Sequence, residues 1–265
     1  MPEQKSSDNK GSVKISVYRH DPEASRTGTY EDFEVPIQEG MVVLDAINYI
    51  VNNYDTTLAV RWNCKAARCG SCAAEINGVP KLMCKTRLET LPEKIVVGPM
   101  RVFPLVKDLV TDVSENYNIE KRMLPFSPRE DAKEPWIING MDVARSQEFR
   151  KCIECFLCMD VCHVVRSHDT DYIGPRHVVK AASLDMHPMD AIDRSRVLAR
   201  QQGLGYCNVT KCCQEVCPEH IHITDNAIIP EKERSVDNFY DPIMGLAAKL
   251  RGRGKEHERS AAKVD

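Results

Sequence analysis

Twelve cysteines are the residues of this 265-residue sequence whose type and spacing could do chemistry. They fall into three groups of four, within residues 64–84, 152–162 and 207–217. Disulfide partners need no such local clustering, whereas the thiolate ligands of a metal centre do. The N-terminal residues MPEQKSSDNKGS lack the apolar core of a secretory signal, so we expect a soluble or peripheral, cytoplasmic protein. The sequence therefore predicts that the cysteines bind metal.

The first group has the spacing C-x4-C-x2-C, followed by a distant fourth cysteine. This spacing is typical of plant-type 2Fe-2S centres. Gly70 and Ser71 are small, so the loop backbone can approach a cluster closely. A zinc site is the alternative, but zinc sites favour paired C-x2-C arms and fit this spacing poorly. The predicted 2Fe-2S ligands are Cys64, Cys69, Cys72 and Cys84.

The second group, CIECFLCMDVC at residues 152–162, follows the ferredoxin spacing C-x2-C-x2-C-x3-C throughout. In two-cluster ferredoxins, the fourth cysteine of such a run binds the other cluster. This crossing predicts a 4Fe-4S cluster with three ligands from the second group and one from the third. The predicted 4Fe-4S ligands are Cys152, Cys155, Cys158 and Cys217.

The third group, CNVTKCCQEVCP at residues 207–218, has Thr210 in the place of the second cysteine of the run. The crossing rule then leaves three thiolates for the remaining cluster. A neutral hydroxyl is a poor ligand for cluster iron, so we expect one corner to lack iron. The sequence therefore predicts a 3Fe-4S cluster. Its predicted ligands are Cys162, Cys207 and Cys213.

Cys212 stands out of register beside Cys213. One interpretation is that it replaces the missing ligand and restores a 4Fe-4S cluster. The other is that it is a small apolar residue of the core, which is common for a free cysteine. The second is favoured, because the side chains of adjacent residues on a helical turn point in different directions. His163 follows Cys162 and is a candidate for orienting a ligand or passing a proton.

The residues around the first group predict a small mixed sheet with one helix. Alternating apolar residues indicate a strand at 12–20 and a partner strand at 30–37. Apolar residues between 43 and 54 recur at helical spacing. Asn77-Gly78 is a strong hairpin signal, and residues 94–98 supply a further strand.

The rest of the chain is predicted to be helical. Residues 124–136 are rich in proline and charge and are typical of a linker. Strand alternation then ends, and residues 143–165 and 176–202 have mostly helical character. A short helix is predicted at 223–233, and a charged tail follows it.

Composition and missing motifs exclude several classes of protein. The net charge of −3 gives no basic field for nucleic acid. No apolar run reaches the ~20 residues that span a bilayer. The sequence contains no G-x-G-x-x-G, Walker or G-x-S-x-G motif. The chain is therefore predicted to pass single electrons, to carry no catalytic residue, and to depend on a partner for hydride chemistry.

The order of these motifs resembles that of the iron–sulfur subunit of succinate dehydrogenase/fumarate reductase, complex II. The matching stretches are RWNCKAARCGSC, CIECFLCMDVCH, IGP and CNVTKCCQEVCP, and the resemblance covers residues 12–245. It implies an α+β fold, in which an N-terminal β-grasp 2Fe-2S ferredoxin domain precedes an all-α ferredoxin-type domain with two clusters. The expected bounds are 12–120 and 137–245, with a disordered tail at 246–265.

The resemblance also implies partners and a location. The subunit would bind a flavoprotein, which carries FAD and the succinate site, and a transmembrane cytochrome b-type anchor. Electrons would pass from FAD through the 2Fe-2S, 4Fe-4S and 3Fe-4S clusters to membrane quinone. The implied location is peripheral, on the cytoplasmic side of the inner cell membrane, within a respiratory complex.

The sequence departs from the ubiquinone-linked members of this family near the quinone site. A proline and a tryptophan pair of those members are here His163 and Arg166-Ser167, and a histidine is here Asn208. The resemblance therefore assigns no quinone-binding residue. Three alternatives stay open, namely a quinol:fumarate reductase subunit, a subunit of a soluble thiol-driven fumarate reductase, and a zinc-stabilised interaction module.

Overall fold

The computed structural model describes residues 11–23 and 27–239, together with Pro242 and Leu246. The strands are β1 (Ser12–Arg19), β2 (Thr29–Pro36), β3 (Ala73–Ile76), β4 (Val79–Leu82), β5 (Lys94–Gly98), β6 (Leu105–Lys107) and β7 (Val110–Thr111). The α-helices are α1 (Val43–Asn53), α2 (Ser114–Arg122), α3 (Gly140–Gln147), α4 (Leu157–Asp160), α5 (His163–Ser167), α6 (Pro175–Asp185), α7 (Ser195–Arg200), α8 (Cys212–Glu215) and α9 (Ile229–Phe239). Short 3₁₀-helices lie at Leu88–Thr90, Glu148–Lys151 and Leu204–Tyr206, and a π-helical turn at Ile223–Ile228.

The chain divides into two compact units. The first contains the residues up to Val113 and also Ile153–Val161, a segment that includes α4. The second contains Ser114–Cys152 and the residues from Cys162 onward. The second group of cysteines is thus shared between the two units.

The first unit is built on a five-stranded mixed sheet in the order β2-β1-β5-β3-β4. Strand β1 pairs antiparallel with β2 and parallel with β5, so β1 is central in this half of the sheet. The predicted strands at 12–20, 30–37 and 94–98 are confirmed. The short β6–β7 hairpin was not predicted, because its strands are too short to show an alternating pattern.

Helix α1 and the sheet share one apolar core. The side chains of Ile15 and Val17 on β1 are fully buried, as the alternating pattern requires. On α1, the buried residues are Val43, Leu44, Ala46, Ile47 and Ile50, which form one stripe at helical spacing. The Asp45 carboxylate accepts a hydrogen bond from the Val42 backbone N–H at 3.2 Å and so fixes the start of the helix.

The predicted Asn77-Gly78 hairpin is confirmed between β3 and β4. Asn77 has φ 51° and Gly78 has φ 77°, the left-handed values that a two-residue type I′ turn requires. The Asn77 side chain also accepts a hydrogen bond from the Val96 N–H at 2.7 Å, which ties the turn to β5. The hairpin thereby holds both ends of the first cysteine group, since the Cys64–Cys72 loop precedes β3 and Cys84 follows β4.

The second unit is made of short helices packed around a small apolar core. Helix α6 packs against the π-helical turn at 223–228, and α7 packs against α9. Among their buried side chains, Val178, Ala182 and Leu198 are fully inaccessible to solvent. Helix α6 begins with Pro175 at its first position, directly after Gly174 at φ 87°. Proline is favoured there because its missing N–H would have had no helical partner.

A buried arginine is the main polar contact inside the second unit. The Arg194 guanidinium is 3% exposed and contacts Asp185 Oδ1 at 2.6 Å and Asp190 Oδ2 at 2.9 Å. It also donates to the backbone carbonyls of Leu124 at 2.8 Å and Pro125 at 2.9 Å. One side chain therefore joins the end of α6, the loop before α7 and the start of the proline-rich segment.

The proline-rich segment at 124–136, which composition predicts to be a linker, lies within the second unit and is hydrogen-bonded to residues 189–191 at its start. The Arg129 N–H donates to the Met189 carbonyl at 2.9 Å, and the Ala191 N–H donates to the Ser127 carbonyl at 2.8 Å. These bonds satisfy backbone groups that composition alone leaves unassigned. The structure differs from the predicted free linker because the hydrogen-bond partners lie about 60 residues away in sequence, where no local pattern reveals them.

Two further predictions concern the end of the chain and the membrane. The predicted tail at 246–265 lies outside the described residues, apart from Leu246. Within the ranges 11–23 and 27–239, no helix has both the length and the apolar character needed to cross a bilayer.

We predict that Arg194→Ala destabilises the protein far more than Arg129→Ala. Removing Arg194 deprives the buried Asp190 carboxylate of this ion-pair partner and leaves Asp185 with the longer contact to Arg234 at 3.4 Å, at a cost of about 3–5 kcal/mol. Arg129 pairs with Asp131 at the surface, with side chains 51% and 69% exposed, so its removal should change little. The free energy of unfolding in urea measures both effects. Equal stability of the two variants would contradict the role given to Arg194.

Candidate metal centres

The first cysteine group lies on a loop that folds back around its own sulfurs. Lys65, Ala67 and Gly70 have positive φ values of 52°, 54° and 70°, so the backbone turns repeatedly between Cys64 and Cys72. The N–H groups of Ala66 and Arg68 each point at Cys64 Sγ at 3.3 Å. A loop of this kind directs both thiols and amides toward one point.

The four thiols of this group are brought together in two interacting pairs, Cys64 with Cys69 and Cys72 with Cys84. Burial opposes ionisation of Cys69, but hydrogen bonds from Ser71 and Cys64 outweigh it and lower the pKa of Cys69 to about 6. Burial raises the pKa of Cys72 to about 12. A bound metal would replace these protons. Four converging thiols with inward amides fit a 2Fe-2S cluster.

Gly70 has no room for a side chain. A Cβ at this position would lie 2.7 Å from Cys155 Cα, and φ is +70°. Both residues belong to the first unit. The loop of the first cysteine group therefore packs directly on the backbone of a predicted 4Fe-4S ligand.

The second and third groups share one backbone pattern. In the second, Cys155 lies between Glu154 at φ 56° and Phe156 at φ 60°. In the third, Thr210 lies between Val209 at φ 61° and Lys211 at φ 63°. The left-handed residues thus occupy the same register in both runs. The backbone places Thr210 where the second run has a cysteine.

Two of the predicted 4Fe-4S ligands of the second group lie beside or within short helices. Cys152 follows the 3₁₀-helix at Glu148–Lys151, and Cys158 is buried within α4. The crossing of Cys217 to this cluster stays a prediction.

The three cysteines predicted to hold the 3Fe-4S cluster line one small cavity in the second unit, together with Thr210 and Tyr172. Cys162 and Cys213 are each 6% exposed. Burial raises the pKa of the Cys162 thiol, and it raises the pKa of Cys213 to about 12. Three thiols around one enclosed space fit a cluster with three cysteine ligands.

Within the described ranges, no three His, Cys, Asp or Glu side chains are placed to hold a single metal ion.

Cys212 does not point away from this cavity, as the sequence argument favoured. Its side chain lines the same cavity, and its Sγ lies 3.4 Å from Thr210 Oγ1. The reason is local, because Lys211 at φ 63° turns the chain immediately before α8 begins at Cys212.

Two further features lie beside the predicted ligands. His163 Nε2 is 2.9 Å from Asn208 Nδ2, so the residues that follow Cys162 and Cys207 contact each other. Tyr172 was not found from the sequence. It is 5% exposed, and burial raises the pKa of its hydroxyl well above the ordinary value, as do the thiols of the cavity. A tyrosine just before the IGP stretch carries no motif signal.

Comparison with known protein families identifies both iron–sulfur domains of the chain. Residues 14–118 match the family of the 2Fe-2S iron-sulfur cluster binding domain, and residues 148–221 match the 4Fe-4S dicluster domain. A fumarate reductase iron-sulfur subunit of Mycobacterium tuberculosis is 34% identical over 79% of this chain and 87% of that protein. Its counterpart in Escherichia coli is 31% identical over 79% and 87%.

A solved structure is also similar. It is the Mycobacterium smegmatis Sdh1 complex in the apo form, in which one chain is 51% identical to this one with a TM-score of 0.84. The match covers 88% of this chain and 99% of that chain.

The fold and the cysteine sites define an iron–sulfur electron-transfer protein with an N-terminal ferredoxin domain and a helical two-cluster domain. The chain belongs to the family of iron–sulfur subunits of succinate dehydrogenase and fumarate reductase. The predicted α+β fold class is confirmed, and so are the 2Fe-2S and 4Fe-4S domains.

We predict that Gly70→Ala removes most of the 2Fe-2S cluster, whereas Gly78→Ala leaves it in place. Gly70 has φ +70° and Gly78 has φ +77°. An alanine at either position therefore carries a similar left-handed strain of about 1–2 kcal/mol. Only at position 70 does the added methyl meet another backbone, since a Cβ at Gly78 has no neighbour within 4 Å. Iron content and the visible circular dichroism of the 2Fe-2S cluster measure the outcome. Similar cluster loss in both variants would show that strain, and not contact with Cys155, decides assembly.

Proposed function

We propose that this chain is the iron–sulfur electron-transfer subunit of a membrane-bound succinate:quinone oxidoreductase. The observation that carries the proposal is the arrangement of the cysteine groups along one scaffold. The loop of the first group packs on Cys155 of the second, and the third group repeats the backbone pattern of the second. A close approach between the loops of two predicted redox centres, as at Gly70 and Cys155, is what an electron relay needs. Membership of the family supports the same conclusion.

The cysteines would hold three clusters. The proposed ligand sets are Cys64, Cys69, Cys72 and Cys84 for 2Fe-2S, Cys152, Cys155, Cys158 and Cys217 for 4Fe-4S, and Cys162, Cys207 and Cys213 for 3Fe-4S. When bound, the clusters supply one-electron exchange, in the order in which their cysteines follow along the chain. The chain holds their thiolates, directs amides at the sulfurs, and buries Cys72, Cys158, Cys162 and Cys213 away from water.

Hydride and quinone chemistry would take place with partners. A flavoprotein subunit with FAD would oxidise succinate, since this sequence has no dinucleotide motif. A transmembrane cytochrome b-type anchor would supply the quinone site and hold the subunit peripherally on the cytoplasmic side of the membrane. A related chain is part of the Sdh1 complex of Mycobacterium smegmatis, which supports assembly with other subunits.

The second candidate is the same relay run in reverse, as a subunit of a quinol:fumarate reductase. The relatives from Mycobacterium tuberculosis and Escherichia coli favour it, because they are described as fumarate reductase subunits. Succinate oxidation is favoured over fumarate reduction because this chain is 51% identical to the Sdh1 chain, against 34% and 31% for those two relatives. The reaction direction follows the potential of the quinone, which lies outside this chain.

Electron paramagnetic resonance on the purified membrane complex tests this proposal. Succinate added without oxygen should reduce the 2Fe-2S cluster and abolish the signal of the oxidised 3Fe-4S cluster. Fumarate added to the complex with reduced clusters should reoxidise the clusters slowly if succinate oxidation is the physiological direction. Fast reoxidation by fumarate, combined with slow reduction by succinate, would select the fumarate reductase candidate. Failure of both substrates to change any cluster signal would reject both.

We predict that Thr210→Cys converts the 3Fe-4S cluster into a 4Fe-4S cluster. Thr210 has the register of Cys155, so a thiol there restores the full run C-x2-C-x2-C-x3-C. The oxidised three-iron signal should disappear, and a second four-iron signal should appear on reduction. The reduction potential should change too, because cluster type and charge set it.

Cys212→Ser is the matched control, because it removes the native thiol that lies beside Thr210 without adding a thiol at position 210. The three-iron signal of this variant should match that of the unmodified complex. If Cys212→Ser instead turns a four-iron signal into a three-iron signal, Cys212 is a ligand, and the assignment of three cysteines to this cluster is wrong.

A further inference from the structure

A buried hydroxyl without a partner lies among the three cysteines of the third site. Tyr172 is 5% exposed, and its side chain lines the same cavity as Cys162, Cys207 and Cys213. Its Oη has no hydrogen-bond partner among the residues that the structure describes. The Cys207 thiol lies beside it without meeting hydrogen-bond geometry.

A phenylalanine would fill this space at lower cost. Burying a hydroxyl without a hydrogen bond is unfavourable, because the group gives up its bonds to water and gains none. The aromatic ring supplies the apolar packing with or without the hydroxyl. The hydroxyl is therefore suited to an acceptor that belongs in this cavity.

The backbone of Tyr172 is held by close contacts with residues 202 and 203. Gly203 packs so closely that a Cβ there would lie 2.6 Å from the Tyr172 backbone N. The Ile173 N–H also donates to the Gln202 carbonyl at 3.2 Å. These contacts hold the backbone of Tyr172 through residues that do not line the cavity.

We propose that Tyr172 donates its O–H to a sulfur of the cluster held by Cys162, Cys207 and Cys213, and that this bond raises the reduction potential of that cluster. The proposal rests on the function proposed above. Reduction adds negative charge to the cluster, and a hydrogen-bond donor stabilises that charge. In the proposed order this cluster is the last before quinone, so its potential sets how easily it accepts electrons from the rest of the relay.

A redox titration followed by electron paramagnetic resonance tests the proposal on the intact membrane complex. In Tyr172→Phe the midpoint potential of the three-iron signal should shift to lower values, while the potentials of the other two clusters stay unchanged. Tyr206→Phe is the matched control, because Tyr206 precedes Cys207 but is 56% exposed. Its three-iron potential should equal that of the unmodified complex. An unchanged potential in Tyr172→Phe, or an equal shift in both variants, would overturn the proposal.

A second variant covers the case in which Tyr172→Phe does not assemble the cluster. Replacement of Tyr172 alone by 3-fluorotyrosine keeps the shape and makes the phenol a stronger donor, so the potential should shift upward. No upward shift would count against the donor role. Absence of any three-iron signal in the unmodified complex would be a different result, since it would reject the cluster assignment itself and not the role of Tyr172.

Discussion

Several thiols from a short stretch of chain must face one point, and the rest of the structure depends on this constraint. Regular helices and strands cannot satisfy it, because they send neighbouring side chains in different directions. The chain meets it with non-glycine residues in the left-handed region, at Lys65 and Ala67, at Glu154 and Phe156, and at Val209 and Lys211. Such residues are unfavourable in isolation, so each loop needs a scaffold that holds it in place.

The two units provide that scaffold by different means. In the first unit, a sheet and α1 share an apolar core, and the Asn77-Gly78 hairpin brings Cys84 to the loop that holds the other three thiols. In the second unit, short helices pack around a small apolar core, and a buried arginine joins the segments between them. Arg194 fixes three segments at once through two buried carboxylates and two carbonyls.

Two close approaches between backbone segments require a glycine, because a side chain would clash there. Gly70 must be a glycine because the Cys155 backbone lies against it. A similar approach occurs at Gly203, which lies against the backbone of Tyr172. In both places the absence of a side chain lets two stretches of backbone approach closely, beside a predicted cluster ligand at Gly70 and beside Tyr172 at Gly203.

The sequence by itself determined the cysteine groups, the family resemblance, the α+β class and most elements of the first unit, because these follow from local spacing and periodicity. It also placed Thr210 in the register of a missing ligand. Only the tertiary structure decided the direction of Cys212, the attachment of residues 127–129 to residues 189–191, and the position of Tyr172 in the cavity. These depend on a left-handed turn or on contacts between distant residues, and neither leaves a periodic trace in the sequence.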